Sequence, residues 1–253
     1  MGHDWPVATR ILTWNLQGRA RPDLDAVGEV IAGLGPDVVA LQEVQRTQAG
    51  TLADRLGWSL EWRFKHWAVV VPPEGLALLS PAPLGEAAST HLAHRWRFWS
   101  WRRRIAVGAT VGTPTGALAV VGTHLGAGVG DEERTRQARL TVGALAAGGT
   151  VAVGGCVVGD LNTRPGSPVL AAYASAGLRD AWDEVRPGEG GATNWRPGPR
   201  DGAPTQRIDY VLVTDGLDVL SAWVPSVGEP GFERYGALSD HLPLLVTVAP
   251  RPG

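Results

Sequence analysis

Val151-Ala152-Val153-Gly154-Gly155-Cys156-Val157-Val158, followed at once by Gly159-Asp160-Leu161-Asn162, is the stretch on which the fold turns. The run carries no charge, is rich in β-branched residues and is bounded by glycine, so it reads as a strand buried on both faces. An acid at the end of such a strand marks the point where packing gives way to chemistry. Asp160 and Asn162 flank Leu161, and a period of two would place both side chains on one side. Such a pair can hold an attacking water and a phosphate oxygen. The competing reading is an Asx turn that closes the strand.

Working outward, apolar runs at 9–14, 38–42, 68–71, 76–79, 105–111, 118–123, 207–213, 217–223 and 242–248 read as further strands. Residues 24–33, 48–56, 131–147 and 168–176 read as helices. The third opens on Asp131, Glu132 and Glu133, where the helix dipole favours negative charge. The fourth opens on Ser167-Pro168, an N-cap followed by proline at the first helical position. More strands than helices, with long connections, predicts two packed sheets with helices outside them. One domain is expected to cover 1–253, with 187–204, rich in Gly, Pro and Arg, as a loop inside it.

Composition narrows the function. The chain has 253 residues, is 44% hydrophobic and carries a formal net charge of -2, so it offers no bulk attraction to nucleic acid or anionic lipid. Any phosphate binding must be local. Lys65 is the only lysine, and the abundance of Arg over Lys is read as coding bias. Cys156 is the only cysteine, which excludes an intrachain disulfide and reads as a buried small hydrophobe. The uncharged stretch 140–159 has the length of a membrane span but contains two Gly-Gly pairs, so helix end, turn and strand are expected instead. No secretory signal is visible at the N-terminus, and a cytoplasmic location is expected.

Several apolar runs end in a polar side chain: Asn15 after 12–14, Glu43 after 38–42, His124 after 118–123 and Asp160 after 151–158. A carboxylate such as Glu43 facing a cleft is costly unless it is paired or metal-bound. Each alone reads equally as a solvated strand end. Asp209 differs, because it lies inside Ile208-Asp209-Tyr210-Val211-Leu212 and needs a buried partner. His241, in Ser239-Asp240-His241, is the natural candidate, since a carboxylate on one imidazole nitrogen fixes the tautomer and leaves the other to act. Asp240 would then point elsewhere and could join Glu43 at a metal.

These segments resemble, in order, those of the endonuclease/exonuclease/phosphatase superfamily, which includes deoxyribonucleases, abasic-site endonucleases, bacterial sphingomyelinases and inositol polyphosphate phosphatases. The resemblance rests on Thr13-Trp14-Asn15, Leu41-Gln42-Glu43-Val44, Gly75-Leu76-Ala77-Leu78-Leu79-Ser80, Gly122-Thr123-His124-Leu125, Gly159-Asp160-Leu161-Asn162-Thr163-Arg164, Arg207-Ile208-Asp209-Tyr210-Val211 and Ser239-Asp240-His241-Leu242-Pro243. It implies an α/β fold, a four-layer α/β/β/α sandwich of two mixed sheets with outer helices. It also implies phosphodiester hydrolysis by in-line water attack with Mg²⁺ or Mn²⁺. Glu43 would be the main metal ligand with Asn15 and Asp240 near it, and Asp160 would orient the water. Asn162 would contact the phosphate, His241 paired with Asp209 would stabilise or protonate it, and His124 would assist nearer the leaving group.

Departures from the subfamilies bear on substrate. Gln45 stands where abasic-site endonucleases usually have Lys, and His124 where they use Tyr; Arg207-Ile208 replaces the Trp-Cys pair of inositol phosphatases. The resemblance therefore favours the branch of deoxyribonucleases and sphingomyelinases. A phosphate ester, nucleic acid among the candidates, is the expected partner. A phosphomonoesterase and a lipid-headgroup phosphodiesterase are the alternatives within the superfamily. A non-catalytic binding module predicts loss of at least one of these polar groups, and the chain keeps them all.

The Arg- and Trp-interleaved stretch 94–104 has two readings. Arg97 and Trp99 could bind substrate by pairing with phosphate and stacking on bases, or the same stretch could sit in a membrane interface. The plainer alternative is a strand and loop whose tryptophans fill the sandwich edge while arginines snorkel. Arg164 and Trp195, with Arg196 and Arg200, are expected to wall the same cleft.

Overall fold

A computed structural model describes residues 7–68, 71–97, 100–147, 153–188, 190–196, 198, 200 and 202–252, with backbone alone at 67–68, 71, 94–97 and 100–102. Two mixed sheets of six strands pack face to face. The first runs in the order β11 (Leu217–Trp223), β12 (Leu244–Pro250), β1 (Thr9–Asn15), β2 (Val38–Gln45), β4 (Val71–Ser80), β3 (Ser59–Ala68). The second runs β5 (Ala88–Arg97), β6 (Ser100–Thr113), β7 (Gly116–His124), β8 (Gly154–Asp160), β10 (Asp209–Thr214), β9 (Leu178–Asp180). A short antiparallel pairing of His66–Ala68 with Ser100–Arg102 joins them at one corner.

Parallel pairs occur at β1–β2 and β7–β8, each spanned by a crossover helix, as parallel neighbours require. In the first sheet the crossover is α1 (Leu24–Leu34), which is capped by the Asp23 side chain on Asp25 N and Ala26 N. Gly35 ends it at φ 55°, a left-handed conformation that a side chain would strain. In the second sheet it is α3 (Asp131–Ala147), with the expected acids in its first turn. Helix α2 (Arg46–Leu56) lies against α1, and α4 (Pro168–Ala174) lies against α3 with Ser167 as N-cap. The short helices α5 (Ala181–Val185) and α6 (Glu233–Leu238) complete the set.

The larger apolar cluster fills the space between the sheets and beneath α1 and α2, from Ile11, Leu12 and Trp14 to Val158, Val211 and Val246. A second cluster, including Leu125, Val157, Leu161, Tyr173 and Tyr210, seats α3 and α4 on the outer face of the second sheet. Burial of this apolar surface is the main term holding the layers together. Cys156 is buried, and burial pushes its thiol up to about 12, in keeping with an unreactive core residue.

One expected strand is broken by a turn. Ala68 and Val71 pair with each other across the β3–β4 hairpin, so no single strand runs through 68–71, and residues 69–70 lie outside those described. Residues 94–97 and 100–104 belong to the paired strands β5 and β6, with Arg97 pairing Ser100 through the backbone. Trp99 lies outside the described residues. Within 140–159, α3 ends at Ala147 and β8 begins at Gly154. Among the described residues no helix is long and apolar enough to cross a membrane.

Candidate active site

Register brings the polar strand ends together. His124 ends β7, Asp160 ends β8 and Asp209 begins β10; His124 is the register partner of Asp160, and Asp160 that of Asp209. Register partners on adjacent strands share a face. Across the sandwich, Asn15 ends β1 and contributes Nδ2 to Asp160 Oδ2 at 3.1 Å. The two sheets thus meet at this oxygen.

His241 arrives from the segment before β12. Trp14 Nε1 donates to its carbonyl at 2.8 Å, and Ser239 Oγ accepts from its amide at 3.1 Å while donating to Asn15 O. Its Nδ1 lies 2.8 Å from Asp209 Oδ2, the buried partner the strand-embedded acid required. Thr193 Oγ1 donates to the same oxygen at 2.6 Å. The other imidazole nitrogen, Nε2, lies 3.9 Å from Asp160 Oδ2, and His124 Nε2 lies 3.6 Å from that atom.

Electrostatics separates these groups. Burial first, and then the charge of Asp209, raises the Asp160 pKa well above the usual carboxylate range. Burial alone would lower His241, but the Asp209 carboxylate overcomes it and carries the imidazole up to about 9. His124 moves the other way, held well below the usual imidazole value by burial and then by the Lys65 charge. One imidazole is therefore charged at neutral pH and the other is not.

Glu43 occupies a β-bulge, where the β2–β4 register shifts between Gln42 and Val44, and its φ is 53°. A left-handed glutamate inside a strand is strained, and such strain persists where the surroundings over-determine it. The bulge re-aims the carboxylate into the cleft, with Oε1 3.9 Å from His124 Nε2 and the side chain 24% exposed. Asp240 Oδ2 accepts from Gln17 Nε2 at 3.0 Å and pairs with Arg196 Nε at 2.7 Å. Gln17 also donates its backbone N–H to Asn15 Oδ1 at 3.1 Å, which ties Asp240 to the Asn15 side of the site.

Among the described residues one group of three acids or imidazoles has ligand atoms within 4.8 Å, namely Asp160, Asp209 and His241. That group differs from the metal set the resemblance implied. Two of its members, Asp209 and His241, are already hydrogen-bonded to each other, and Asp209 Oδ1 is buried without a hydrogen-bond partner. Glu43, Asn15 and Asp240 instead carry hard oxygen donors, the type that suits Mg²⁺ or Mn²⁺, with Glu43 partly exposed and the other two buried.

The remaining expectations divide. Asn162 lies beyond the end of β8 at φ 48°, so strand alternation does not reach it. It joins Asp160 through its backbone N–H, which donates to Oδ1 at 2.9 Å, and its Nδ2 donates to Leu125 O at 3.1 Å. The Asx turn and the site are the same feature. Arg164 is exposed at a recess of about 400 Å³ shared with Asn162 and Arg134. On the far side of the segment following His124, a groove of about 680 Å³ runs along Arg104, Gly126 and Glu133.

Trp195 does not wall the cleft. It is 1% exposed, donates Nε1 to Gly202 O at 2.7 Å and packs on Phe232 at 6.1 Å, because backbone bonds from Thr193 to Trp195 fix that segment and turn the indole inward. Its neighbours do reach the site: Arg196 holds Asp240, and Arg200 NH2 donates to Gln17 Oε1 at 2.8 Å. Gln17, Lys65 and Thr193 were not legible in the sequence. Thr193 follows Gly190-Gly191-Ala192 in a glycine-rich loop, and Gln17 stands at φ 46° in an unpatterned turn.

The sequence pattern of the Endonuclease/Exonuclease/phosphatase family matches residues 12–241. The chain belongs to this family. Members are generally hydrolases acting on phosphate esters. No curated protein sequence gives a significant match. The fold is similar to the human Nocturnin catalytic domain with bound sulfate, at TM-score 0.76 and 23% identity over 96% of this chain and 94% of that one. It is also similar to an endonuclease/exonuclease/phosphatase from Beutenbergia cavernae, at TM-score 0.72 and 24% identity over 96% of this chain and 72% of that one. Danio rerio TDP2 complexed with single-strand DNA product gives TM-score 0.71 and 18% identity over 95% of this chain and 98% of that one.

Proposed function

We propose that this chain is a divalent-cation-dependent phosphodiesterase that uses in-line attack by water. The observation carrying this reading is that His124 and His241 direct Nε2 to the same Asp160 oxygen, 3.6 and 3.9 Å away, with Asn15 hydrogen-bonded to it. Two donors flanking one acceptor enclose a space suited to a phosphoryl group and its attacking water. Asp160, with its raised pKa, orients the water and takes its proton. His241, charged and steadied by Asp209, donates to a phosphate oxygen on which negative charge accumulates. His124 donates from Nε2 on the opposite side.

Glu43, with Asn15 and Asp240 beside it, would hold Mg²⁺ or Mn²⁺. When bound, such a cation supplies neutralisation of the charge that develops on the phosphate. The exposed Arg164 at its recess supports a polyanionic substrate, and nucleic acid is the reading favoured by that charge. A TDP2 relative bound to single-strand DNA product lends it support.

The test is hydrolysis of bis-p-nitrophenyl phosphate and p-nitrophenyl phosphate with and without Mg²⁺, alongside Glu43→Ala and His241→Ala. The diester should turn over faster than the monoester, stop with chelator and fall by on the order of 10² to 10⁴ in each variant. Turnover indifferent to chelator and to both substitutions would reject the reading. Single-stranded DNA, duplex DNA, RNA and phospholipid, offered in parallel, then identify the substrate class.

A further inference from the structure

The only lysine of the chain is buried: Lys65, on β3, is 2% exposed. An ammonium has three donors and no acceptor, and enclosing one is costly unless its protons find partners. Its Nζ lies 3.0 Å from His124 Nδ1, a contact that crosses from the first sheet to the second. The two imidazoles of the site are thus backed by opposite chemistry. His241 has a carboxylate at Nδ1, and His124 has an ammonium in the corresponding place.

We propose that Lys65 is a positioning residue: by donating to Nδ1 of His124 it fixes the ring in the tautomer whose proton sits on Nε2, aimed between Asp160 and Glu43. A carboxylate in that place would select the reverse arrangement at Nδ1, as Asp209 does for His241. Burial and then the Arg104 charge hold Lys65 down to about 8, so at pH 7 it is still an ammonium without a lone pair and the contact runs in one direction. His124 therefore serves as a fixed hydrogen-bond donor, and transfer of a proton falls to His241. The site is asymmetric by construction, with two outwardly similar histidines set to different tasks by what stands behind them.

Two-bond ¹H–¹⁵N spectra of the whole chain at pH 7, with His124 assigned from a His124→Gln variant, read the tautomer directly and need no substrate. The wild type should show Nε2 protonated and Nδ1 bare. Lys65→Met should lose that signature and lower kcat on bis-p-nitrophenyl phosphate by on the order of 10 to 10², with KM changed by less than about threefold. Lys65→Gln, whose amide can still donate, should restore the signature and most of kcat. A wild-type His124 protonated at Nδ1, a Lys65→Met spectrum identical to wild type, or a folded Lys65→Gln no better than Lys65→Met would each overturn the proposal. If Lys65→Met fails to fold, the wild-type and Lys65→Gln spectra decide. The kinetic arm rests on the phosphodiesterase reading and the spectroscopic arm does not, so failure of one is distinguishable from failure of the other.

Discussion

His124 and His241 approach a single oxygen of Asp160 from two sides, their Nε2 atoms 3.6 and 3.9 Å from Oδ2. Both separations are too long for a direct hydrogen bond, so the three groups form a cluster whose polar atoms can address one substrate together. If they meet the same reacting phosphate and water, the groups act as a unit and their removal is not additive. Asp160→Asn should lower kcat by on the order of 10² to 10⁴ while leaving KM within a few-fold. Adding His241→Gln to Asp160→Asn should cost less than the product of the two single effects. Steady-state kinetics of the two singles and the double on a chromogenic diester decide it; strict multiplicativity would show that they work independently.

The Asp209–His241 pair sets a pH limb. Asp209 raises the imidazole to about 9, so the charged, donating form persists below that pH and is lost as pH rises through it. Without that carboxylate, burial is opposed only by the smaller contributions of Asp160 and Asp240, and the imidazole moves down. Asp209→Asn should therefore move the alkaline limb of kcat/KM to lower pH, in addition to lowering its plateau. An alkaline limb that stays in place would assign it to another group.

Much of this site could be read from the chain because nine of the twelve strands announce themselves as apolar runs, and Asn15, Glu43, His124 and Asp160 stand where four of those runs stop. The Asp209–His241 pair was legible for a different reason, the cost of leaving an acid unpaired within a strand. Lys65 was not. Its strand, Ser59–Ala68, alternates charged and aromatic residues without an apolar run, so nothing local distinguishes a lysine that crosses between the sheets from one that faces water. The bulge at Glu43 was hidden as well, because it exists only relative to the register of β4. Trp195 misled through its polar, proline-rich surroundings; its burial depends on Phe232, distant in sequence.

That last correction has a measurable consequence. With its indole enclosed and bonded to Gly202 O, Trp195 contributes packing rather than a stacking face for substrate. Trp195→Ala should destabilise the fold by about 3 to 5 kcal/mol in urea titration. Trp195→Phe, which fills most of the space, should leave KM for any oligonucleotide substrate unchanged within about twofold, since the ring never meets it. A selective rise in KM for nucleic acid in a stably folded Trp195→Phe would return the residue to the binding surface.

Gly159 decides whether β7 and β8 can bring His124 and Asp160 into register. Its φ is 139°, a region closed to ordinary side chains, and a Cβ there would stand 2.0 Å from the Thr123 carbonyl oxygen. The obstructing atom is backbone in the neighbouring strand, directly before His124, so it has little room to yield. Relief would require β8 to move away from β7 at the row where His124 and Asp160 sit. Gly159→Ala should therefore lower Tm by roughly 10 °C, the equivalent of about 3 kcal/mol or more in a domain of this size. Any folded fraction should lose activity out of proportion to its stability, because the parallel register of His124 and Asp160 is what aims both at one oxygen. Differential scanning fluorimetry with active-fraction titration checks both parts, and a variant that keeps wild-type Tm and turnover would show that this close approach is dispensable.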